Sequence, residues 1–568
     1  MKSSCRSLTE IHRWIDEVKR FLSVTLAIAN AHTVEFYTHD VWKRFIAVTP
    51  QEVLAAVSSG SEQEGEPEHK QKEHSRTTFG FCIHSNRLVD IHELLVAAKA
   101  QSLPGLGVCV SRDELLQSLR GSESECAEIA DKLEPDEFMN SKKSHEVQCM
   151  SKVVACLAQH CGVKQVIDVG SGKGYLSSFL SLQYGLQVFG IDSSSINTHG
   201  AQERNRKLKK FSRAYQKHSK AARTQAEAQS SPQTETVERK PGPNRDRDAL
   251  AGSGSQQDVG ASVDAPAAET QSALGPEAGE LFLSALSADV IQPPSPRVPP
   301  SQLSARSRGE GADGVFSPLT SYVTSETELR DLITELEEAV MVGLHTCGDL
   351  AASTLRMFVA KPELSAVCGV GCCYHLLSEE FNPNGQGSTS DYVCTACGFP
   401  LSQYLRDQSC FCGRNARMSA CLALERVSLG QGIQMESLFY RAVLHVILRD
   451  HYSSYKSEKR VGNVYSKAKS FVDYVRRALH RLELDDSKLC DSDIQSYHDA
   501  YEARMDEMHA FNMLKVTLAP CIEGLILLDR LCYLKEQEDV SFSALVQLFD
   551  PLLSPRCYAV VGLKSHST

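Results

Sequence analysis

Residues Val166–Gly174 read VIDVGSGKG: an apolar run enters three glycines at spacing two, Gly170, Gly172 and Gly174, and a helical pattern follows. Glycines at such a turn let the backbone come close to a ligand, and the helix that opens there offers unpaired N–H groups. A dinucleotide fingerprint places its third glycine five positions after the first; here the separation is four. Asp168 stands two residues before Gly170, where a carboxylate suits a cationic amino-acid end better than a pyrophosphate. Asp192 ends the next apolar run, 18 residues after Gly174. A carboxylate at that strand tip can accept both ribose hydroxyls of a nucleoside. Together these features fit S-adenosylmethionine. Asp168, Gly170, Ser171, Gly172 and Gly174 would take the methionine end, and Asp192 with Ser193 the ribose. Thr324 and Ser325 are expected near the adenine, and Lys143 on the same side. The alternatives are a nicotinamide or flavin cofactor, or a turn that has lost its ligand.

A methyl acceptor would lie beyond the carboxyl ends of the later strands of an open α/β sheet. Those ends carry His345-Thr-Cys347-Gly-Asp349 and Gly371-Cys372-Cys373-Tyr374-His375. In-line attack on a sulfonium carbon needs a general base when the nucleophile is a hydroxyl, and less help when it is a neutral ring nitrogen. His345 or His375 is expected as that base, with Asp349 orienting it. Cys347 and Cys372 are the thiols a cytosine C5 mechanism would require, although the usual proline-cysteine dipeptide is missing. The competing reading is that all five residues cap and pack strand ends. Cys394, Cys397, Cys410 and Cys412 could bind zinc, but the Cys-x-Cys spacing is unusual, and free thiols are the simpler expectation.

The elements that would position these groups are legible in the spacing. Ser144–His160 is periodic in apolar residues and stops at Gly162, a suitable C-cap. Strands are expected at Lys164–Val169, Gln187–Ile191, Tyr322–Thr324, Val340–His345 and Ala366–Gly371. Helices are expected at Tyr175–Tyr184, Asn197–Lys210, Thr327–Glu338 and Asp349–Val359. This alternation implies βαβ units and a parallel sheet with helices on both faces. Long helices follow at Glu436–Leu448, Val464–Leu482 and Phe511–Glu536. Leu545–Phe549 and Tyr558–Leu563 should complete the sheet as antiparallel edge strands.

Residues 211–315 hold ten of the 21 prolines and no cysteine, and few large apolar residues. Such a stretch cannot bury enough apolar surface to offset its ordering entropy and is expected to be disordered. The resulting organisation is a helical region over 1–130, a first, cofactor-binding half of the sheet domain over 131–210, and the insert over 211–315. The second half, with the acceptor pocket, spans 316–400, a helical elaboration 401–540, and the closing strands 541–568. Trp14 and Trp42 read as core residues of the N-terminal helices.

The 568 residues carry a net charge of −11, which excludes a globally basic nucleic-acid binder. Two local runs oppose that average. Arg204–Arg223 has nine Lys or Arg and no acid, and Asp450–Arg481 interleaves basic residues with aromatics. Basic residues can meet phosphates and aromatics can stack on bases, so both runs suit RNA; the alternative is a solvated helix face. Apolar stretches such as Cys521–Leu528 fall short of a membrane span. Twenty cysteines after a polar N-terminus suggest a reducing compartment, the cytosol or nucleus. A protein substrate, or a fold kept as a non-catalytic scaffold, are the other functional readings.

Several segments together carry a family likeness: FMNSKKSHEV (Phe138–Val147), VIDVGSGKGYLS (Val166–Ser177), GLHTCGDL (Gly343–Leu350), GCCYH (Gly371–His375), CGRNARM (Cys412–Met418) and the C-terminal LLSPRCYAVVGLK, residues 552–564. In these the chain resembles the methyltransferase-like protein 25 family. The resemblance implies a class I methyltransferase fold, Rossmann-like with a seven-stranded, mostly parallel sheet, that uses S-adenosylmethionine. The HxCG and CCxH signatures are more distantly similar to the acceptor-stem tRNA 2′-O-methyltransferases. Some relatives are named after ribosomal RNA adenine dimethylases. Exocyclic-amine enzymes, however, usually carry [D/N/S]-P-P-[Y/F/W] after the fourth strand, where this chain has His345-Thr-Cys347-Gly348.

Overall fold

The structure is a computed structural model, and it describes residues 6–59, 77–120, 139–208, 315–381, 397–427, 435–452 and 461–565. The insert expected over 211–315 lies outside the described residues except for Val315, as does most of the polar stretch Ser58–Thr78.

Eight strands form one sheet: β1 (Val110–Ser111), β2 (Gln165–Val169), β3 (Gln187–Asp192), β4 (Ser317–Thr320), β5 (Ala339–Cys347), β6 (Leu364–Cys372), β7 (Val540–Gln547) and β8 (Tyr558–Lys564). Their order is β1-β7-β8-β6-β5-β2-β3-β4. Strands β2 to β6 run parallel, and β8 alone is antiparallel to its neighbours β6 and β7. This is the expected class I, Rossmann-like arrangement of seven strands with one strand added. Two expectations about the strands need correction. Tyr558–Lys564 is not an edge strand but lies between β6 and β7. The edge beyond β7 is taken by Val110–Ser111, which pairs parallel with Val546–Gln547.

The helices used below are α1 (Leu8–Asn30), α2 (Ser141–Cys161), α3 (Tyr175–Tyr184), α4 (Asp349–Ala360), α5 (Met435–His451), α6 (Phe471–Leu482), α7 (Asp491–Glu502) and α8 (Met505–Lys535). An unlabelled helix spans 195–208. The start of α2 is fixed by Asn140, whose side chain accepts from Lys143 N, and its end by Gly162 in the left-handed region. Between β3 and β5 the sequence pattern misleads. The third strand is Ser317–Thr320 rather than Tyr322–Thr324, and the helix expected over Thr327–Glu338 shrinks to one turn, Leu329–Leu332.

The central strands are mostly apolar because both faces are covered. Successive side chains on a strand point to opposite faces. Val166 of β2 and Val340 and Val342 of β5 accordingly join a core with Met150, Val153 and Leu157 of α2 and Leu180 of α3. Ile167, Val169 and Met341 join the other core, with Leu355 and Phe358 of α4 and with Leu518 and Leu525 of α8. Helix α1 packs along α8 and brings Ile11, Trp14, Ile15 and Val18 into that second core; Trp42 is buried there too. Helix α8 corrects one further expectation. It is long and apolar enough to cross a membrane by length and composition, but 89% of its most apolar window is buried inside the protein. It also carries the buried charges Glu523, Asp529 and Arg530. It is the central helix of the second core.

Candidate active site

The glycine turn lies at the carboxyl tips of β2 and β3 and is held almost wholly by backbone. Gly170 N and Ser171 N both donate to Ile191 O, at 2.8 and 3.1 Å. Gly172 N donates to Asp192 Oδ2 at 2.9 Å, and Asp192 Oδ1 accepts from Ser194 N at 2.8 Å and Asn197 Nδ2 at 3.1 Å. Gly174 has φ +70, and a Cβ there would stand 2.2 Å from the Phe316 ring. Only glycine satisfies both constraints. A Cβ on Gly172 would meet nothing within 4 Å, so space is open beside the turn. Ser171 Oγ is buried without a hydrogen-bond partner among the described residues. The open face and the orphaned hydroxyl fit a ligand resting on this loop. A carboxylate has about four acceptor sites, and three on Asp192 are filled. Acceptor capacity therefore remains on Asp192 for a ribose hydroxyl.

Asp168 is buried below the turn and accepts from Ser177 Oγ at 2.6 Å. Burial pushes its carboxyl up to about 7; the Ser177 bond and Lys143 oppose the rise, and the Asp192 charge adds to it. A group so placed can take a proton or meet a cation. The other residues expected around the cofactor are less engaged. Ser193 is exposed. Thr324 is exposed in a turn four residues past β4, where its N–H donates to Thr327 Oγ1 at 2.9 Å; Ser325 shares that turn. The strand end itself is tied by a 2.5 Å bond between Thr198 Oγ1 and Thr320 Oγ1.

At the tips of β5 and β6 a different network meets. His345 Nε2 lies 3.0 Å from Glu146 Oε2. Glu146, from α2, is fully buried; its Oε1 accepts from Ser554 Oγ at 2.8 Å and its Oε2 pairs with Lys143 Nζ at 3.0 Å. Burial alone would raise the Glu146 carboxyl, but the His345 bond and charge, then Lys143 and Lys142, hold it well below the usual carboxylate range. The orienting carboxylate of His345 is thus Glu146 and not Asp349. Asp349 Oδ1 instead accepts from Ser378 N at 2.8 Å and ties down the loop after β6. His375 sits apart from this pair, its Nδ1 3.7 Å from Cys421 Sγ, and burial lowers its pKa.

Sequence reasoning does not reach Glu146 and Ser554 as site residues, although both lie in segments that carry the family likeness. A signal existed: Glu146 falls on the buried stripe of α2 beside Val147, Met150 and Val153, where an unpaired acid would be costly. A second network braces the tip of β6. The buried Tyr374 donates to Glu523 Oε1 at 2.8 Å, and Arg556 Nη1 reaches the same oxygen at 3.0 Å. Arg417 donates to Tyr374 O at 3.0 Å.

The structure brings Cys347 and Cys372 together, with their Sγ atoms 3.2 Å apart. The zinc reading of the other cysteines gains nothing here. Cys397, Cys410 and Cys412 are buried, burial pushes the Cys410 thiol up to about 12, and none of the three joins a group of three ligating atoms among the described residues. Cys394 lies outside the described residues.

The two basic runs fare differently. In Asp450–Arg481, residues 453–460 with Tyr455, Lys456, Lys459 and Arg460 lie outside the described residues, and most of the described aromatics are core. Tyr452, Phe471 and Tyr474 are buried, and Phe471 and Tyr474 pack on Tyr440 of α5 with centroids 5.0 and 5.6 Å away. Arg476 pairs with Asp491 of α7, and Arg477 with Asp473. Apolar packing claimed Tyr452, Phe471 and Tyr474, and acids claimed these two arginines. Of Arg204–Arg223, only the part up to Leu208 is described. Arg204 lies over the Tyr175 ring at 4.3 Å and Arg206 pairs with Glu203.

Comparison with known proteins bears on this arrangement. A family model described as a methyltransferase domain matches residues 142–380, which include Lys142, Glu146, the glycine turn and both strand tips. The chain is similar to the probable methyltransferase-like protein 25 of Mus musculus, 47% identical over 586 aligned positions that cover 98% of this chain and 97% of that protein. It is also similar to the Homo sapiens protein of the same description, 46% identical over 584 positions, 96% of each. No solved structure matches.

Proposed function

Because the chain belongs to the methyltransferase-like protein 25 family and is a methyltransferase, we propose that its donor is S-adenosylmethionine and its acceptor an RNA nucleotide. The carrying observation is the glycine turn, bonded through Gly172 N–H to Asp192 and open beside Gly172. Bound there, S-adenosylmethionine supplies an electrophilic methyl carbon. Asp168, at the foot of the turn, would ionise opposite the donor's ammonium group. Asp192 would accept a ribose hydroxyl, and Ser171 Oγ would gain a partner.

On the acceptor side, His345 and Glu146 act as a pair. With Nε2 turned to Glu146 Oε2, Nδ1 is the atom left to take a proton from an attacking hydroxyl or amine. Glu146 holds the ring in place and stabilises the imidazolium that forms. RNA is favoured by the nine basic residues of Arg204–Arg223, which begin on the helix that follows Asp192. The chain's twenty cysteines suit a reducing compartment, the cytosol or nucleus.

Two measurements test this reading. Calorimetry with S-adenosylmethionine should show one site per chain, and Asp192→Ala should weaken it by about tenfold or more; no heat of binding in the wild type overturns the donor. Incubation of the protein with a tritiated donor and total RNA and protein from cells lacking the gene should label RNA. Label in protein alone refutes the acceptor.

A further inference from the structure

We propose that Cys347, Cys372 and Cys373 form a site for a thiophilic divalent metal ion of the zinc type, at the paired tips of β5 and β6. Three independent features of the backbone bring these thiols together. Cys347 and Cys372 are partners in the parallel register of β5 and β6, so their side chains start side by side. Cys373 has φ +48, in the left-handed region that few residues other than glycine adopt. Gly348 locks the two turns: its N–H donates to Cys372 O at 3.3 Å, and a Cβ there would stand 2.8 Å from Leu376 Cβ.

The distances suit one ion. All three Sγ atoms lie within 4.8 Å of one another, and those of Cys347 and Cys372 are 3.2 Å apart. Two thiolates on a tetrahedral zinc, each at ~2.3 Å, are roughly 3.8 Å apart. That value falls between the two observed limits, so small side-chain rotations would complete the site. Cys347 is exposed, which gives the ion a path in. Binding a divalent cation would displace the thiol protons to solvent and leave three metal–sulfur bonds. Three protein ligands leave a fourth position open, an arrangement found in reactive rather than purely structural zinc sites.

The test reads the metal and not methyl transfer, so it stands or falls apart from the proposed donor and acceptor. Protein purified under reducing conditions should carry about one zinc per chain by plasma emission. Cobalt(II) added to metal-stripped protein should give intense thiolate charge-transfer absorption. Cys347→Ser and Cys373→Ser should each lose the zinc and the band, while Cys490→Ser, at an exposed cysteine, keeps both. Circular dichroism on each variant confirms the fold. Less than a tenth of an equivalent of zinc in the wild type, or full retention by both cluster variants, refutes the site. A Cys347–Cys372 disulfide in freshly isolated protein refutes it equally.

Discussion

At the tips of β2 and β3 the cradle is assembled from one stretch of 30 residues, Asp168–Asn197, and most bonds in it use a backbone N–H. At the tips of β5 and β6 two networks, Glu146 with His345 and Ser554, and Tyr374 with Glu523 and Arg556, are bonded between side chains. The first region is local and built from main chain, so a single substitution should change binding more than folding. The second is a knot whose longest tie, Glu146 to Ser554, spans 408 positions, so its chemistry and its stability are coupled. A catalytic site can thus have one half that tolerates mutation structurally and another that does not.

Breaking the knot should give the largest effect. Glu523→Ala leaves Arg556 without its buried anion and Tyr374 OH without an acceptor. A loss of about 3–5 kcal/mol is expected, read as a lower denaturant midpoint. Next in size is the catalytic prediction. His345→Gln keeps a donor toward Glu146 but removes the base, so turnover should fall ~10²-fold or more while the unfolding midpoint stays close to wild type. Equal losses in turnover and stability would show that His345 merely packs. The third prediction sharpens the local half. Because burial raises the folded-state pKa of Asp168 to about 7 from its ordinary 3.8, the protonated form is favoured in the fold. Stability should therefore decline as pH climbs from about 4 to about 7, and Asp168→Asn should flatten that slope. At pH 7 donor binding should also release about half a proton, measurable by calorimetry in buffers of different ionisation enthalpy.

The contrast also explains how far the amino-acid sequence alone reaches. The glycine turn, Asp168 and Asp192 sit at fixed short spacings, so the proposed cradle can be read from spacing by itself. Helices α2 and α4 are equally accessible, because periodicity and the Gly162 cap are local signals. The Glu146–His345 pair is not accessible, since 199 positions separate its members and Asp349, four residues away, offers a nearer partner. The turn-rich segment between β4 and β5 misleads for a related reason. Its apolar residues Leu329, Ile333 and Leu336 keep helical spacing, yet they are buried along a segment with only one helical turn. The aromatic run after α5 misleads because composition cannot tell a stacking platform from a packed core.

Val110–Ser111 pairs with Val546–Gln547, 436 positions later in the chain. A ribosome adding ~5–20 residues per second needs roughly 20–90 s to cover that span. Throughout that interval the N-terminal portion has been made but cannot dock, because the strand it borders does not yet exist. A truncation before residue 540 should therefore be cleared by proteolysis rather than accumulate as a stable fragment.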